Sequence, residues 1–195
     1  MTKSKSLSDS IKIMAMISVL TALTCILAPN SFAIPVSPVP ISLTSIAIFL
    51  AVYVLGTKYA TVSYFIYLLL GLAGLPIFSG YTGGPAKLAG PTGGYLIGFI
   101  FMAIIAGIFI DKFPLKTPIV KQPKHIALHM TGMILGTLVC YLFGTVWLAV
   151  QLHLGFQAAL MIGVVPYIPG DLAKMIFSLI LGSEIRSALT KAGLH

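Results

Sequence analysis

Apolar runs of near-membrane length follow one another along this chain, separated by clusters of Gly, Pro and Lys. The runs fall at about 13–28, 41–55, 59–73, 94–110, 125–150 and 171–189. A helix needs about 20 apolar residues to cross a bilayer, so the pattern predicts six transmembrane helices. Three connections, 29–40, 74–93 and 151–170, alternate with two others, 56–58 and 111–124, that carry charge. The first holds four prolines and no charge, and reads as a stiff non-helical link. Gly56-Thr57-Lys58 reads as a short turn. The second connection contains Gly80–Tyr95, whose six glycines and two prolines cannot continue a helix. In so apolar a chain, an irregular polar stretch belongs in water or against a cavity.

Composition narrows the class. Of 195 residues, 58% are hydrophobic and 8% charged, and the mean hydropathy is +1.04. Soluble domains carry roughly 25% charged residues, so this chain could not cover a water-facing surface. The expected fold is an all-α integral membrane protein: one six-transmembrane-helix bundle, residues 1–195, with both termini cytoplasmic. No length is left for a soluble ATPase. Lys3, Lys5 and Lys12 before an apolar run, followed by Ser31-Phe32-Ala33, also resemble a secretory signal. We read the segment as the first span.

Charge then orients the bundle. The net charge of +8 would suit nucleic acid only if it were clustered, and here the basic residues are scattered singly. With the N-terminus inside, the inner side receives Lys3, Lys5, Lys12, Lys58, Lys112, Lys116, Lys121, Lys124, Arg186 and Lys191. Only Lys87 and Lys174 fall outside, as the positive-inside rule expects. The glycine-rich stretch and the break at Pro166–Gly170 then share the outer face.

Chemistry-bearing residues are few. Asp9, Asp111, Asp171 and Glu184 are the only carboxylates. Asp171 and Lys174, three apart at the start of the last span, share one helical face. Asp171 can simply cap its helix while Lys174 snorkels outwards. Ionisable residues near a bilayer core usually pair or face a wet cavity, however, which favours a functional pair. His125 and His129 could approach one metal, but no carboxylate or cysteine completes a tetrahedron, and they read as an interfacial pair. Cys25 and Cys140 sit in apolar runs without metal spacing. Trp147 and the tyrosines near span ends read as interfacial aromatics. Lys87 is followed by Leu88, so no phosphate-binding P-loop is present. In the first span, Ser18 and Ala22 form a small-xxx-small pair beside Ala15 and Cys25; such a face suits a partner helix or the chain's own bundle.

Four segments carry a resemblance: Val39–Thr44, Gly71–Phe78, Gly90–Phe99 and Val165–Lys174. With their G-P-T-G-G-Y and I-P-G-D-L-x-K blocks, they resemble the biotin transporter BioY family along essentially the whole chain. The resemblance implies the substrate-binding S component of an energy-coupling factor (ECF) transporter in the bacterial cytoplasmic membrane. Its partners would be a transmembrane coupling protein and two ATPase subunits, which use ATP; no cofactor or metal would be bound by this chain. It implies a biotin site built from Asp171, Lys174, Tyr95, Thr92, Gly93, Gly94, Phe78, Tyr81, Lys87 and Thr44. In that site Asp171 would accept the ureido N–H bonds and either Lys174 or Lys87 would meet the carboxylate. Gly90–Tyr95 would be a fixed wall and Gly80–Ala89 a lid. Ala15, Ser18 and Ala22 would meet the coupling protein. Competing readings are an S component for another vitamin, a small intramembrane enzyme using Asp171 as base, and a structural subunit without ligand.

Overall fold

The computed structural model describes residues 2–35, 37–114 and 122–192. It is mostly helical: α1 (Thr2–Leu27), α2 (Thr44–Leu72), α3 (Pro85–Ala89), α4 (Gly93–Lys112), α5 (Pro123–Leu152), α6 (Phe156–Gly163) and α7 (Ile168–Lys191). Five stretches are long and apolar enough to cross a membrane: Ser10–Leu27, Thr44–Leu72, Gly93–Lys112, Pro123–Leu152 and Phe156–Lys191. The expected residues Lys116 and Lys121 lie outside the described residues.

α2 is one element only by hydrogen-bond continuity. Gly56 inside it has φ 72 and ψ 176, far from helical values. Thr44 and Tyr67 line the same cavity, although a straight helix would hold them about 35 Å apart. The chain therefore doubles back at Gly56, and its limbs, 44–55 and 57–72, correspond to the second and third apolar runs. The positive φ suits Gly, and a Cβ at this position would stand 3.1 Å from Asp111 Oδ2. Asp111, at the end of α4, accepts from the backbone N–H and the hydroxyl of Thr57, both at 2.7 Å. Its other oxygen meets Arg186 of α7 at 3.2 Å. One carboxylate thus ties α2, α4 and α7 together at the Gly56 end.

The link after α1 departs from the all-α expectation. It is an antiparallel hairpin of β1 (Ser31–Ile34) and β2 (Ser37–Ser42), paired Ser31 to Ser42 and Phe32 to Ile41. Because β2 runs through Ser42, the following helix starts at Thr44 rather than Ile41. Pro38 and Pro40 fit because each strand of a two-stranded ribbon is an edge, where a missing N–H leaves no partner unbonded. The other expected connections also hold short helices, α3 in 74–93 and α6 in 151–170.

The central packing is α4 against α5 and α2. A Cβ on Gly144 of α5 would fall 2.2 Å from the Tyr95 ring, so the two helices meet at a distance only Gly permits. Tyr53, Tyr64, Tyr67, Met102, Met133 and Leu148 are fully buried among these helices. α1 is peripheral: 17% of its apolar window is buried, against 56% for α4. It leans on α2 through Leu20, Thr21 and Thr24, with Thr21 Oγ1 2.9 Å from Ser63 Oγ.

Candidate functional site

At the end opposite Gly56, a cavity opens between β2, the first turns of α2, α4 and α7, and the middle of α5. The cavity volume is about 70 Å³, several times the ~10–15 Å³ that one water needs. Hydroxyls of Ser42, Thr44, Ser45, Ser79, Thr92 and Thr137 share its wall with Tyr67, Tyr95, Tyr141 and Tyr167. Leu96, Phe99 and Met102 of α4 give it an apolar side. Asp171 and Lys174 are the charged residues of the wall.

That pair is fixed from several directions. Lys174 Nζ donates to Asp171 Oδ1 at 2.9 Å and to the Ser42 carbonyl at 2.8 Å. Tyr141 Oη donates to Asp171 Oδ2 at 2.5 Å. The two side chains are 12% and 17% exposed, too buried to be a solvated surface pair. The alternative in which Asp171 merely caps its helix does not form. α7 begins at Ile168 with Tyr167 at its N-cap and no side-chain capping bond. Asp171 sits inside the first turn, where a negative charge faces the positive end of the helix dipole. Tyr167, from the 3-10 turn Val165–Tyr167, donates its hydroxyl to the Val39 carbonyl. Both Lys174 and Tyr167 therefore hold the backbone of β2.

Of the ten expected substrate residues, the cavity wall gathers five: Asp171, Lys174, Tyr95, Thr92 and Thr44. The other five lie elsewhere. Phe78 is fully buried and packs edge-on against Tyr67 at 5.6 Å, beneath the wall rather than on it. Gly93 and Gly94 are contact points for α3 and α5: a Cβ on Gly93 would meet the Leu88 carbonyl of α3 at 1.7 Å, and one on Gly94 would meet Trp147 of α5 at 2.3 Å. The Gly93 N–H is already bonded to the Gly90 carbonyl. Tyr81 is 65% exposed and donates to Asn30 Oδ1 at 3.2 Å. Lys87, half-buried on α3, lies outside the wall, and its burial pushes its ammonium below the ordinary lysine range.

The lid expectation shifts too. None of 80–89 lines the cavity, whereas Ser79 just before it and Val39, Pro40, Ile41 and Ser42 of β2 do. Gly80 N–H is bonded to the Pro29 carbonyl at 3.1 Å, which fastens that loop to the end of α1. Trp147, expected as an interfacial anchor, donates to the Gly90 carbonyl at 2.9 Å and fixes the start of α4.

One other expectation changes. His129 is fully buried rather than interfacial. Its Nε2–H donates to the Phe113 carbonyl at 2.7 Å, so Nδ1 accepts from Tyr53 Oη at 2.9 Å. Among the described residues, no cluster of three His, Cys, Asp or Glu could hold a metal. Ala15, Ser18 and Ala22 are all exposed, on a face that none of the chain's own helices covers.

Sequence reasoning missed Tyr141, Tyr167, Thr137 and Cys140. A signal was present for three of them. Thr137, Cys140 and Tyr141 are spaced i, i+3 and i+4, one helical face with polar groups in the middle of an apolar run.

A mostly helical, apolar protein with a part-enclosed, largely apolar cavity near one end, holding one carboxylate–ammonium pair, has the build of a membrane binder of small solutes that combine an apolar body with polar groups. Comparison with known proteins gives the particular family. The sequence profile of the BioY family matches residues 1–191, and the chain belongs to that family. It is 34% identical over 154 residues to the biotin transporter BioY of Thermotoga maritima, covering 79% of this chain and 85% of that one. It is 35% identical over 175 residues to the probable biotin transporter BioY of Pyrococcus horikoshii, covering 90% and 96%. Its fold matches the crystal structure of the S-component for biotin from an ECF-type ABC transporter, with a TM-score of 0.81, 30% identity, and coverage of 92% and 93%.

Proposed function

We propose that this chain binds biotin at the hairpin-end cavity and carries it across the membrane as the S component of an ECF-type transporter. The observation that carries the reading is the buried Asp171–Lys174 pair in the cavity wall of a BioY-family chain. Biotin's ureido ring offers two N–H donors. Each Asp171 oxygen accepts one protein hydrogen bond, and a carboxylate oxygen can accept two, so one acceptor direction per oxygen remains. Lys174 uses two of its three donors, on Asp171 and Ser42, and keeps one for an acceptor on the ligand. Tyr95, Leu96, Phe99 and Met102 would pack the bicycle, while the Ser and Thr hydroxyls would meet polar edges of the tail. At roughly 0.75 kcal/mol for each of about 16 non-hydrogen atoms, binding reaches about 12 kcal/mol, or nanomolar.

The topology proposed with it has six crossings, α2 supplying two by its reversal at Gly56, and both termini in the cytoplasm of a bacterium. Lys58, Lys112, Lys124 and Arg186 lie at or beside the Gly56 end, while Lys87 and Lys174 lie at the hairpin end, which supports an outward-facing cavity. A transmembrane coupling protein and two ATPase subunits would supply energy, the coupling protein meeting α1 over Ala15, Ser18 and Ala22. Equilibrium binding of labelled biotin, riboflavin and thiamine to the purified chain tests the reading. Nanomolar binding of biotin alone is expected; preference for another vitamin would overturn it.

A further inference from the structure

Asp171 stands between two openings, and its carboxylate oxygens are uncovered towards only one of them. On the far side of the wall, a groove lined by Ile134, Leu138, Val164, Ile168, Leu172 and Met175 also reaches Thr137, Tyr141 and Asp171. Ile134, Leu138, Ile168 and Leu172 are all more than a third exposed, so in a membrane this groove faces lipid. Only Thr137, Tyr141 and Asp171 belong to both the groove and the cavity. The seam between α5 and α7 is therefore one side chain thick at Asp171. A carboxylate on the edge of a lipid-facing groove is strongly disfavoured unless a donor covers it. Tyr141 Oη stands at the boundary, 2.5 Å from Asp171 Oδ2.

We propose that Tyr141 is a positioning residue for biotin recognition: its hydroxyl covers Asp171 on the groove side, so that the carboxylate's free acceptor directions point only into the cavity. The inference rests on the biotin reading above. Lys174, three residues along the same helix, holds Oδ1 from the cavity side, and Tyr141 holds Oδ2 from α5. Clamped between two helices, the carboxylate cannot rotate towards the groove, and lipid-side water does not compete for it. Without the hydroxyl, Asp171 is free to turn, and its bonds to a ureido ring must first be reassembled. Tyr141 need not touch the ligand to do this.

The test uses the purified full chain in nanodiscs and two probes, labelled biotin and a biotin analogue methylated on a ureido nitrogen. Tyr141→Phe keeps the ring that fills the seam and removes only the hydroxyl. Loss of a hydrogen bond to a charged group is expected to weaken biotin binding roughly 10- to 100-fold. It should also shrink the wild-type preference for biotin over the methylated analogue, because the discrimination runs through Asp171. A merely structural loosening would weaken both probes alike and keep their ratio, which would overturn the proposal. So would unchanged biotin binding by Tyr141→Phe beside a loss by Tyr141→Leu, since packing alone would then account for the residue. Wild-type protein that binds no biotin would remove both this inference and the reading beneath it. Wild-type binding with an unaltered ratio in Tyr141→Phe would remove this one alone.

Discussion

The two ends of the bundle are closed by different means. At the Gly56 end, Asp111 gathers Thr57 and Arg186, and Tyr53 and His129 bond each other beneath. Their contacts run between side chains, from a side chain to the reversal itself, or from His129 to the Phe113 carbonyl. At the hairpin end, Lys174 and Tyr167 reach across to the carbonyls of a two-stranded ribbon, with a cavity between. One end spends its polar groups on each other; the other keeps acceptor and donor positions open. A site for a polar solute in an apolar protein needs that asymmetry, because satisfied groups hold the frame and only unsatisfied ones can bind.

The comparison makes separable predictions. The largest effect is expected from Asp171→Asn, which replaces an acceptor by a partial donor. Biotin Kd should rise at least about 100-fold, near 2.7 kcal/mol, and Tm should fall with it, because Lys174 loses its counter-charge in a mostly buried setting. Loss of folding by this variant would mean that the hairpin end is structural. Next comes Gly56→Val, which forces a β-branched residue to φ 72 against Asp111. Its cost of about 1–3 kcal/mol or more should appear as a lower Tm, read by thermal unfolding in detergent, with the Kd of the folded fraction unchanged. Tyr53→Phe leaves His129 Nδ1 without its donor and should cost about 1–3 kcal/mol of stability, again without a change in Kd. Arg186→Gln breaks a partly exposed pair. We expect less than about 1 kcal/mol, shrinking further in high salt. Smallest is Lys87→Met. Burial lowers the Lys87 ammonium, so the folded state holds that proton less well than the unfolded chain. Its charge therefore opposes folding below the lowered value, and the penalty fades as pH rises through it towards 10.5. Removing it should raise Tm slightly at neutral pH and leave biotin binding within about twofold.

How much of this was legible in the sequence follows from how local each feature is. Hydrophobic runs set the long helices, and Gly-Thr-Lys marked the reversal in α2, because length and backbone freedom are properties of short segments. Asp171 and Lys174 were legible because charges three apart in an apolar run are costly without a purpose. The hairpin was not: four prolines signalled only the loss of helix, and their tolerance on edge strands depends on pairing that does not appear along the chain. Tyr141 was hidden for the same reason, since its acceptor lies 30 residues away. Gly93 and Gly94 misled in the opposite direction. Their density suggested backbone offered to a ligand, whereas a Cβ there meets Leu88 and Trp147.

The bonds from α7 and its preceding turn to the hairpin end on the main-chain oxygens of Val39 and Ser42. A main-chain oxygen survives any substitution at its own residue. The strand facing the cavity is thus free to accept new side chains, and with them new ligand shapes, while its attachment stays where it is. Selection can retune the mouth of the site by changing β2 alone, provided that Lys174 and Tyr167 are kept. A library randomised at Val39 and Ser42 should accordingly retain far more folded members than one randomised at Tyr167 and Lys174.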